Sequence, residues 1–417
     1  MYPIVVLLLD GLGDRAHEVL GGRTGNEAAA TPNLDALAAR GSCGLLYAVG
    51  PGRAPSSEVA HWSLLGYRPD EFPGRAVFEA LGRGQEVSAE HVFAYAALRP
   101  AQRREDGWWL TGRPDPGRDA EEAERLVERC DGIEIDGLTF SLAHVWRGEA
   151  VLRISGGADE RVTDSDAFFR ARHPMLRPQP LVPEAERTAR ACEEWTREVM
   201  QRLEGHHFNV ITLKWFGRPR QVPSFLERHG VTGAFAADSA FLRGLGAALG
   251  LEPVDAPETD DPVADLRGRL ALAIERLDAG DTFVFCHQKT TDAAGHTKDP
   301  KVKRDTIAEL DAALGGLRPL VNRAIVCLTG DHATPASPDV IHSGDPVPLL
   351  VAGPGVRADG VTTFGELPFA AGILGRLRGP DLMPVLLNAA DRPLFLGSRP
   401  TPFEGADGYP SLLEPLL

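Results

Sequence analysis

Short apolar runs alternate along the chain with segments in which apolar residues recur every three or four positions. The first run, Ile4–Leu9, has no polar residue, begins with β-branched side chains and is ended by Asp10. This pattern is typical of a buried parallel strand. The next segment has Thr31 before Pro32 and Gly41 beyond its last apolar position, which are start and stop signals of a helix. The two segments predict a strand followed by a helix.

The same alternation returns in the second half of the chain. The pattern predicts strands at residues 209–215, 282–286, 324–328 and 347–351. It predicts helices at residues 239–249, 263–277 and 303–317. Strands that alternate with helices indicate an α/β fold, with a mainly parallel sheet between helices on both faces.

The middle of the chain has a different pattern. Segments 91–98, 108–111, 133–145 and 150–154 are strand-like, and a charged amphipathic helix is predicted at 119–130. A long helix is predicted at 184–203, after a stretch rich in proline and arginine. We therefore expect a discontinuous α/β domain of residues 1–85 and 177–417, interrupted by a smaller α+β domain at 86–176.

The composition of the chain argues against several classes of function. The 417 residues carry a formal net charge of −15, which argues against a protein that binds nucleic acid or an anionic membrane, since both need a basic face. No apolar run approaches the roughly 18–20 residues of a transmembrane helix, and Ile4–Leu9 lacks the basic flank and cleavage site of a signal peptide. The five cysteines are scattered without CxxC spacing, so we expect reduced thiols and a cytoplasmic location.

Carboxylates and imidazoles follow three of the predicted strands at the points where those strands end. The carboxyl ends of parallel strands meet at one edge of a sheet, where open α/β folds bind ligands. This edge would collect oxygen and nitrogen ligands from Asp10, Asp292, His296, Asp331, His332 and His342. Such a mixed set suits Mn²⁺, Zn²⁺ or Co²⁺, and Mg²⁺ is less favoured by the imidazoles. Six ligands are too many for one open catalytic site and suit two metal ions.

Each of these features also has an ordinary structural explanation when taken alone. An aspartate after a strand is commonly a turn residue or a helix cap, and Ser56, Ser57 and Glu58 are typical of a helix start. The hypothesis of a metal centre therefore depends on the coincidence of the clusters at one edge. Five other histidines are interpreted as solvated or structural: His17, His91, His206, His207 and His229.

Several motifs together resemble one known family. They are Asp10-Gly-Leu-Gly-Asp-Arg, Thr31-Pro-Asn-Leu-Asp, Ser57-Glu-Val-Ala-His61, Thr291-Asp-Ala-Ala-Gly-His296, Thr329-Gly-Asp-His332 and His342-Ser-Gly-Asp-Pro-Val-Pro348. The set is similar to that of the archaeal-type, cofactor-independent (2,3-bisphosphoglycerate-independent) phosphoglycerate mutases of the alkaline phosphatase superfamily. The likeness runs in order from near residue 1 to near residue 390. It implies an alkaline-phosphatase-like α/β fold and a two-metal enzyme that interconverts 2- and 3-phosphoglycerate through a phosphoserine.

The resemblance also assigns roles to residues. It implies that Ser57 is the nucleophile and also a ligand of the metal held by Asp10, Asp331 and His332. It implies that the second metal is held by Asp292, His296 and His342. The implied substrate is a small phosphorylated acid, gripped by Arg53, Arg75, Arg113, Arg147, Arg153 and Lys214. Arginine suits this task because its planar fork matches phosphate and carboxylate.

The departures from the family pattern lie in the substrate grip. Residues 92–98 lack the usual arginine and asparagine, the arginine-rich stretch around Arg113 is reduced, and Lys214 stands where arginine is usual. Glu58 follows the nucleophile where aspartate is common. Each missing charge-assisted contact would weaken substrate binding by about 1.5–3 kcal/mol. A phosphatase, or a mutase for a different small phosphate or phosphonate ester on the same metal centre, is therefore the alternative.

Overall fold

A computed structural model describes residues 1–115, 117–167 and 172–394. The chain divides into two compact units. The first unit joins Met1–Phe72 to the chain from Val222 onward, and the second is the stretch Pro73–Gln221 between them. None of the helices in the described residues has the length and apolar character needed to cross a membrane.

Strands are found in both units. In chain order they are β1 (Ile4–Leu9), β2 (Ser42–Tyr47), β3 (Val92–Arg99), β4 (Ala101–Arg104), β5 (Gly107–Leu110), β6 (Ile133–Ile135), β7 (Leu138–Trp146), β8 (Glu149–Ser155), β9 (His173–Pro174), β10 (Val210–Gly217), β11 (Gly233–Ala237), β12 (Glu252–Asp255), β13 (Phe283–Gln288), β14 (Ile325–Thr329), β15 (Val347–Ala352) and β16 (Gly375–Arg378).

The α-helices are α1 (Gly25–Ala28), α2 (Pro32–Ala38), α3 (Ser57–Leu64), α4 (Arg75–Gly82), α5 (Ala120–Glu128), α6 (Glu186–Arg202), α7 (Phe225–His229), α8 (Ala240–Ala248), α9 (Pro262–Asp278), α10 (Thr290–His296), α11 (Pro300–Leu314), α12 (Leu317–Leu320), α13 (Glu366–Phe369) and α14 (Gly379–Ala389).

An eight-stranded sheet forms the centre of the first unit, in the order β12-β11-β13-β1-β14-β15-β2-β16. Its neighbouring strands are parallel except at β15, which is antiparallel to both β14 and β2. The predicted mainly parallel sheet is thus confirmed. Strand β1 lies between β13 and β14 and runs parallel to both, so the three strands end at the same edge.

Helices cover both faces of this sheet. On one face, Val5, Leu7 and Leu9 join a hydrophobic core built with residues of α2, α9 and α11. On the other face, Phe285 of β13 stacks on Phe235 of β11, with ring centroids 4.4 Å apart, and lies 5.9 Å from the ring of His61 in α3. Every residue of β1 is therefore buried, which explains why its sequence is a continuous apolar run instead of an alternating one.

The second unit is an α+β unit with two antiparallel sheets, β10-β3-β8-β7-β6 and β4-β5-β9. Its main core lies under α5 and α6, where the ring of Trp195 stacks on Phe140 at 5.7 Å. The strand β10 pairs antiparallel with β3, and a bulge interrupts this pairing between Lys214 and Gly217.

Two predicted boundaries differ from the structure. The inserted unit spans 73–221, not 86–176, because β10 completes the five-stranded sheet and α4 and α6 pack against its strands. The single strand predicted at 133–145 is a hairpin of β6 and β7. Its turn contains Asp136 and Gly137, whose φ angles of 50° and 71° are left-handed and typical of such a tight turn.

Candidate active site

Six ligand-type side chains of the first unit form two groups at the carboxyl edge of the large sheet. Asp10 follows β1, Asp331 and His332 follow β14, and the ligand atoms of these three lie within 4.8 Å of one another. We call this group triad A. The second group, triad B, consists of Asp292, His296 and His342, whose ligand atoms meet the same limit. The structure thus brings together the two sets of residues that the family resemblance implies.

Triad A is fully buried. The Nε2 atom of His332 lies 3.2 Å from Asp331 Oδ2 and 3.4 Å from Asp10 Oδ1. Asp331 is held by the backbone N–H of Gly11, which donates to Oδ1 at 3.0 Å, and Asp10 accepts a hydrogen bond from His287 at Oδ2. These contacts leave one oxygen of each carboxylate directed toward the imidazole.

Triad B is more open to solvent. Asp292 and His296 are four residues apart on α10, so they lie on one face of the helix, with 3.3 Å between Asp292 Oδ1 and His296 Nε2. His342 comes from the loop between β14 and β15, and its Nδ1–H donates to the carbonyl of Pro55 at 3.0 Å. This leaves its Nε2 facing Asp292, at 3.8 Å from Oδ1. The ring of His342 also stacks on His332 of triad A at 3.7 Å.

Ser57 is the first residue of α3, and its hydroxyl donates to His332 Nε2 at 3.0 Å. The preceding Ser56 is the N-cap residue, with extended backbone and no side-chain capping bond. The Nδ1–H of His61 donates to the Ser57 carbonyl at 2.7 Å and fixes the first turn of the helix. The hydroxyl of Ser57 is thereby directed at triad A.

Burial and neighbouring charges set the protonation of the site. Burial, helped by the nearby His342 ring, lowers the pKa of His332 to about 3, so the imidazole is neutral and offers a lone pair. Burial raises the pKa of Asp331 well above its ordinary value, and the Asp10 carboxylate adds to this shift. Burial also acts to raise the pKa of Asp10, but the Lys289 ammonium and the His287 hydrogen bond bring it well below the ordinary range.

Two orphaned oxygen atoms test whether triad A fits a metal ion. In the described part of the chain, Asp10 Oδ1 and Asp331 Oδ2 are buried without a hydrogen-bond partner. A buried carboxylate oxygen without a donor is costly, and both atoms converge with a neutral imidazole nitrogen. Such a set of nitrogen and oxygen donors fits a divalent cation, which would satisfy both oxygen atoms.

Lys289 also belongs to the centre, although its sequence context gives little indication of this. Its Nζ lies 3.3 Å from Asp10 Oδ2 and 3.2 Å from Asp292 Oδ2, so it contacts one carboxylate of each triad. Its side chain is 46% exposed, which places the ammonium at the mouth of the centre. The only sequence signal was its position three residues before Asp292, on the same helical turn.

Comparisons with known proteins agree with this geometry. The sequence model of the metalloenzyme superfamily matches residues 2–389. The chain is 34% identical to 2,3-bisphosphoglycerate-independent phosphoglycerate mutase 2 of Methanocaldococcus jannaschii, over 95% of each chain. It belongs to this phosphoglycerate mutase family. Solved structures also match the chain. The structure of the PH0037 protein from Pyrococcus horikoshii matches with a TM-score of 0.78 and 28% identity, and the match covers 95% of this chain and 99% of the other. The cofactor-independent phosphoglycerate mutase of Thermoplasma acidophilum matches with a TM-score of 0.65 and 29% identity, over 94% of this chain and 100% of the other.

Membership of this metalloenzyme family, together with the two triads, makes the chain a metal-dependent enzyme. The residues expected from the family to grip the substrate lie apart from the triads in sequence. Arg53 is an exposed residue of the first unit. The other five belong to the second unit, where Arg75 contacts Glu79 at 3.2 Å and Arg153 contacts Glu86 at 3.6 Å.

The remaining three line an open cleft in the second unit, together with Arg99 and Glu149. They are Arg113, Arg147 and Lys214. Arg99 is buried, donates to Asp166 Oδ2 at 2.7 Å, and has no partner for its Nη2 atom among the described residues. Among the lining side chains, four are cationic and one is acidic, so we call this the cationic cavity. Arg99 was missed because a lone arginine at the end of an apolar strand gave no signal of this role.

Lys214 is held in this cavity in an unusual way. It is buried, and its Nζ lies 4.6 Å from the ring centroid of Trp215 and 5.3 Å from that of Tyr95. Trp215 occupies the bulge of β10 with φ at 57°, which is strained for an aromatic residue. Burial lowers the pKa of Lys214 to about 8, so its ammonium is retained at neutral pH.

Three other arginines of the second unit, Arg103, Arg104 and Arg218, do not line this cavity. Arg218 instead bonds Glu160 and the carbonyls of Ala89 and Ala158. Arg103 and Arg104 are exposed and stack on Trp108 and Trp109. The cationic character of the cavity therefore comes from Arg99 and Lys214 beside the family arginines.

Proposed function

We propose that the chain is a 2,3-bisphosphoglycerate-independent phosphoglycerate mutase, which interconverts 3-phosphoglycerate and 2-phosphoglycerate through a phosphoserine at Ser57. The observation that carries this proposal is the Ser57 hydroxyl, directed at a buried triad of metal-ligand type at 3.0 Å from His332 Nε2. The Methanocaldococcus jannaschii relative is also named as a phosphoglycerate mutase. The substrate is then a small phosphorylated acid, and a cytoplasmic location stays a prediction.

Triads A and B would each hold one divalent metal ion, with Ser57 as a further ligand beside triad A. When bound, such ions stabilise a serine alkoxide and neutralise negative charge on a phosphoryl group. Carboxylates and imidazoles favour Mn²⁺, Zn²⁺ or Co²⁺, and Mg²⁺ is the weaker fit.

The chain's own residues account for the order of events. Ser57 Oγ attacks the phosphorus of the substrate, the bond from phosphorus to the glycerate oxygen breaks, and free glycerate remains bound. Its other hydroxyl then attacks the phosphoserine and takes the phosphoryl group back, which restores Ser57. Lys289, whose ammonium lies at the mouth beside both triads, would donate hydrogen bonds to a phosphoryl oxygen and hold it during both transfers.

The cationic cavity of the second unit would bind the carboxylate of the substrate. Arg113, Arg147 and Lys214 supply charge there, and the Nη2 of Arg99, which has no hydrogen-bond partner within residues 1–115, 117–167 and 172–394, supplies a further donor. Arginine and lysine donors form charge-assisted hydrogen bonds to carboxylates, which are stronger than neutral ones.

An assay by ³¹P NMR tests the proposal. The purified protein receives 3-phosphoglycerate and Mn²⁺ without 2,3-bisphosphoglycerate, and we expect the 2-phosphoglycerate signal to grow. Ser57→Ala should abolish this conversion, and the matched variant Ser56→Ala should retain it. Release of inorganic phosphate alone would indicate the alternative, a phosphatase. No turnover of 3-phosphoglycerate, with turnover of another phosphate or phosphonate ester, would indicate a different substrate.

A further inference from the structure

Thr334 lies between the two triads, in the loop that follows β14. It is fully buried, and its Oγ1 lies 2.7 Å from Asp292 Oδ1 of triad B and 3.1 Å from His332 Nδ1 of triad A. In the described residues, one hydroxyl thus contacts a member of each triad. We propose that Thr334 is a positioning residue that couples the two metal sites, an inference that rests on the proposed metal-binding role of the triads.

The donor and acceptor inventory fixes the direction of both hydrogen bonds. A carboxylate can only accept, so the single proton of the Thr334 hydroxyl goes to Asp292 Oδ1. The oxygen of the hydroxyl is then an acceptor toward His332, so Nδ1 of the imidazole carries the proton. The lone pair of His332 is therefore at Nε2, which faces Ser57, Asp331 and Asp10 at 3.0, 3.2 and 3.4 Å.

The backbone of Thr334 is fixed as firmly as its side chain. Its carbonyl accepts a hydrogen bond from the ammonium of Lys303 at 2.8 Å. The same ammonium donates to the carbonyls of Gly11 at 2.9 Å and Gly13 at 2.7 Å, in the loop that follows Asp10. Lys303 is fully buried, and these three acceptors match its three donors. The lysine therefore ties the loop of Thr334 to the loop of Asp10.

Gly11 packs closely against the Thr334 hydroxyl. A Cβ atom added to Gly11 would lie 2.5 Å from Thr334 Oγ1 and 2.8 Å from Asp292 Oδ1. Gly11 has φ at 64°, a conformation suited to glycine, so the backbone can pass this close to both groups. The position of Oγ1 is set on one side by this glycine and on the other side by the two triad residues.

The two metal sites are coupled because both depend on the same hydroxyl group. A residue that orients a metal ligand from outside the coordination sphere typically contributes 10–100-fold in metal affinity or activity. Removal of the Thr334 hydroxyl leaves Asp292 without its donor and His332 without the acceptor that selects its tautomer. Both metal sites should weaken together, although only one atom has been removed.

The test compares Thr334→Val, which keeps the shape and loses the hydroxyl, with Thr334→Ser, which keeps the hydroxyl and loses a methyl group. Mn²⁺ binding to the chelator-treated full-length protein is measured by isothermal titration calorimetry. We expect Thr334→Val to bind both equivalents about 10–100-fold more weakly than wild type. Thr334→Ser should stay close to wild type.

Three results would overturn the proposal: unchanged affinity in Thr334→Val, weakening of only one equivalent, or equal weakening in both variants, which would indicate packing. If Thr334→Val does not fold, the tautomer of His332 can be measured by ¹⁵N NMR in wild type and Thr334→Ser. The proposal requires the proton at Nδ1 and is refuted if the proton is at Nε2. Because no substrate is present, absence of mutase activity in the wild type would refute the proposed function and leave this comparison valid.

Discussion

We expect the wild-type enzyme to lose activity at alkaline pH and the variant Lys214→Arg to lack this loss. Lys214 lines the cationic cavity of the second unit, and burial lowers its pKa to about 8, although Glu149 acts to raise it. The ammonium is present below pH 8 and is lost as the pH rises through that value. Arginine stays protonated throughout this range. If Lys214 binds the substrate carboxylate, its titration must appear in kcat/KM.

The size of the effect follows from the pKa and from the strength of the contact. With a pKa of about 8, roughly nine-tenths of the molecules carry the ammonium at pH 7 and roughly a tenth at pH 9. A hydrogen bond from a charged donor contributes about 1.5–3 kcal/mol, which is about 10- to 150-fold in binding. These values together predict a fall in kcat/KM of about five- to tenfold between pH 7 and pH 9.

The assay is kcat/KM for 3-phosphoglycerate with saturating Mn²⁺, from pH 6.5 to 9.5, for wild type and Lys214→Arg. The metal centre and Ser57 titrate alike in both proteins, so the ratio of the two profiles isolates Lys214. We expect this ratio to change about five- to tenfold around pH 8. Parallel profiles would refute the role of Lys214 in substrate binding, and an increase with pH in the ratio of wild-type to Lys214→Arg activity would refute the sign.

The stability of the fold gives an independent check on the same pKa. Between pH 8 and the ordinary lysine range near 10.4, the unfolded chain binds a proton that the folded chain has lost, so unfolding becomes less favourable as pH rises. Lys214→Met lacks this dependence. The free energy of unfolding of Lys214→Met minus that of wild type should therefore become smaller from pH 8 to pH 10.5. Urea denaturation of both proteins measures this difference.

Three further predictions concern the first unit. Asp292→Ala and His342→Ala should each bind about one metal equivalent fewer than wild type by elemental analysis. Their kcat should fall at least about a thousandfold, since several kcal/mol of charge stabilisation disappears. Wild-type metal content in both variants would contradict the ligand assignment. Mass spectrometry of enzyme quenched with substrate should find phosphate on Ser57, and phosphate on Ser56 would contradict the geometry. Burial raises the pKa of Glu366 to about 7, so the free energy of unfolding should fall as pH rises from 4.5 to 7, and Glu366→Gln should reduce this fall in denaturation at pH 5 and pH 8.

The parts of the fold with a strong local signal were predictable from the sequence. The predicted strand Ile4–Leu9 matches β1 residue by residue, because a short continuous apolar run ended by a polar residue is typical of a buried strand in an α/β fold. Helix α9 and strand β15 also lie within a residue or two of their predictions. Grouping the six ligand-type residues needed one more rule, that neighbouring parallel strands end at one edge of the sheet.

Pairings between distant segments were not predictable in the same way. Strand β10 looks like another strand of the parallel sheet when its sequence is read alone, yet it pairs antiparallel with β3 in the second unit. No local pattern specifies which strand is the partner, so the boundaries of the inserted unit were placed too close together. Arg99 and Lys289 were missed for a related reason, because each derives its role from charges distant in sequence.

The distances within the active centre depend on strand register more than on the ligand residues themselves. Strand β1 is held between β13 and β14, and the loops beyond these strands are cross-linked where they meet: the Gly11 N–H donates to Asp331, and the Thr291 hydroxyl donates to the Asp10 carbonyl. A shift of β1 by one residue would turn each of its side chains to the opposite face and direct Asp10 away from His332. The apolar side chains of Ile4–Leu9, which take no part in the chemistry, therefore determine whether the carboxylate that follows them can reach a metal ion.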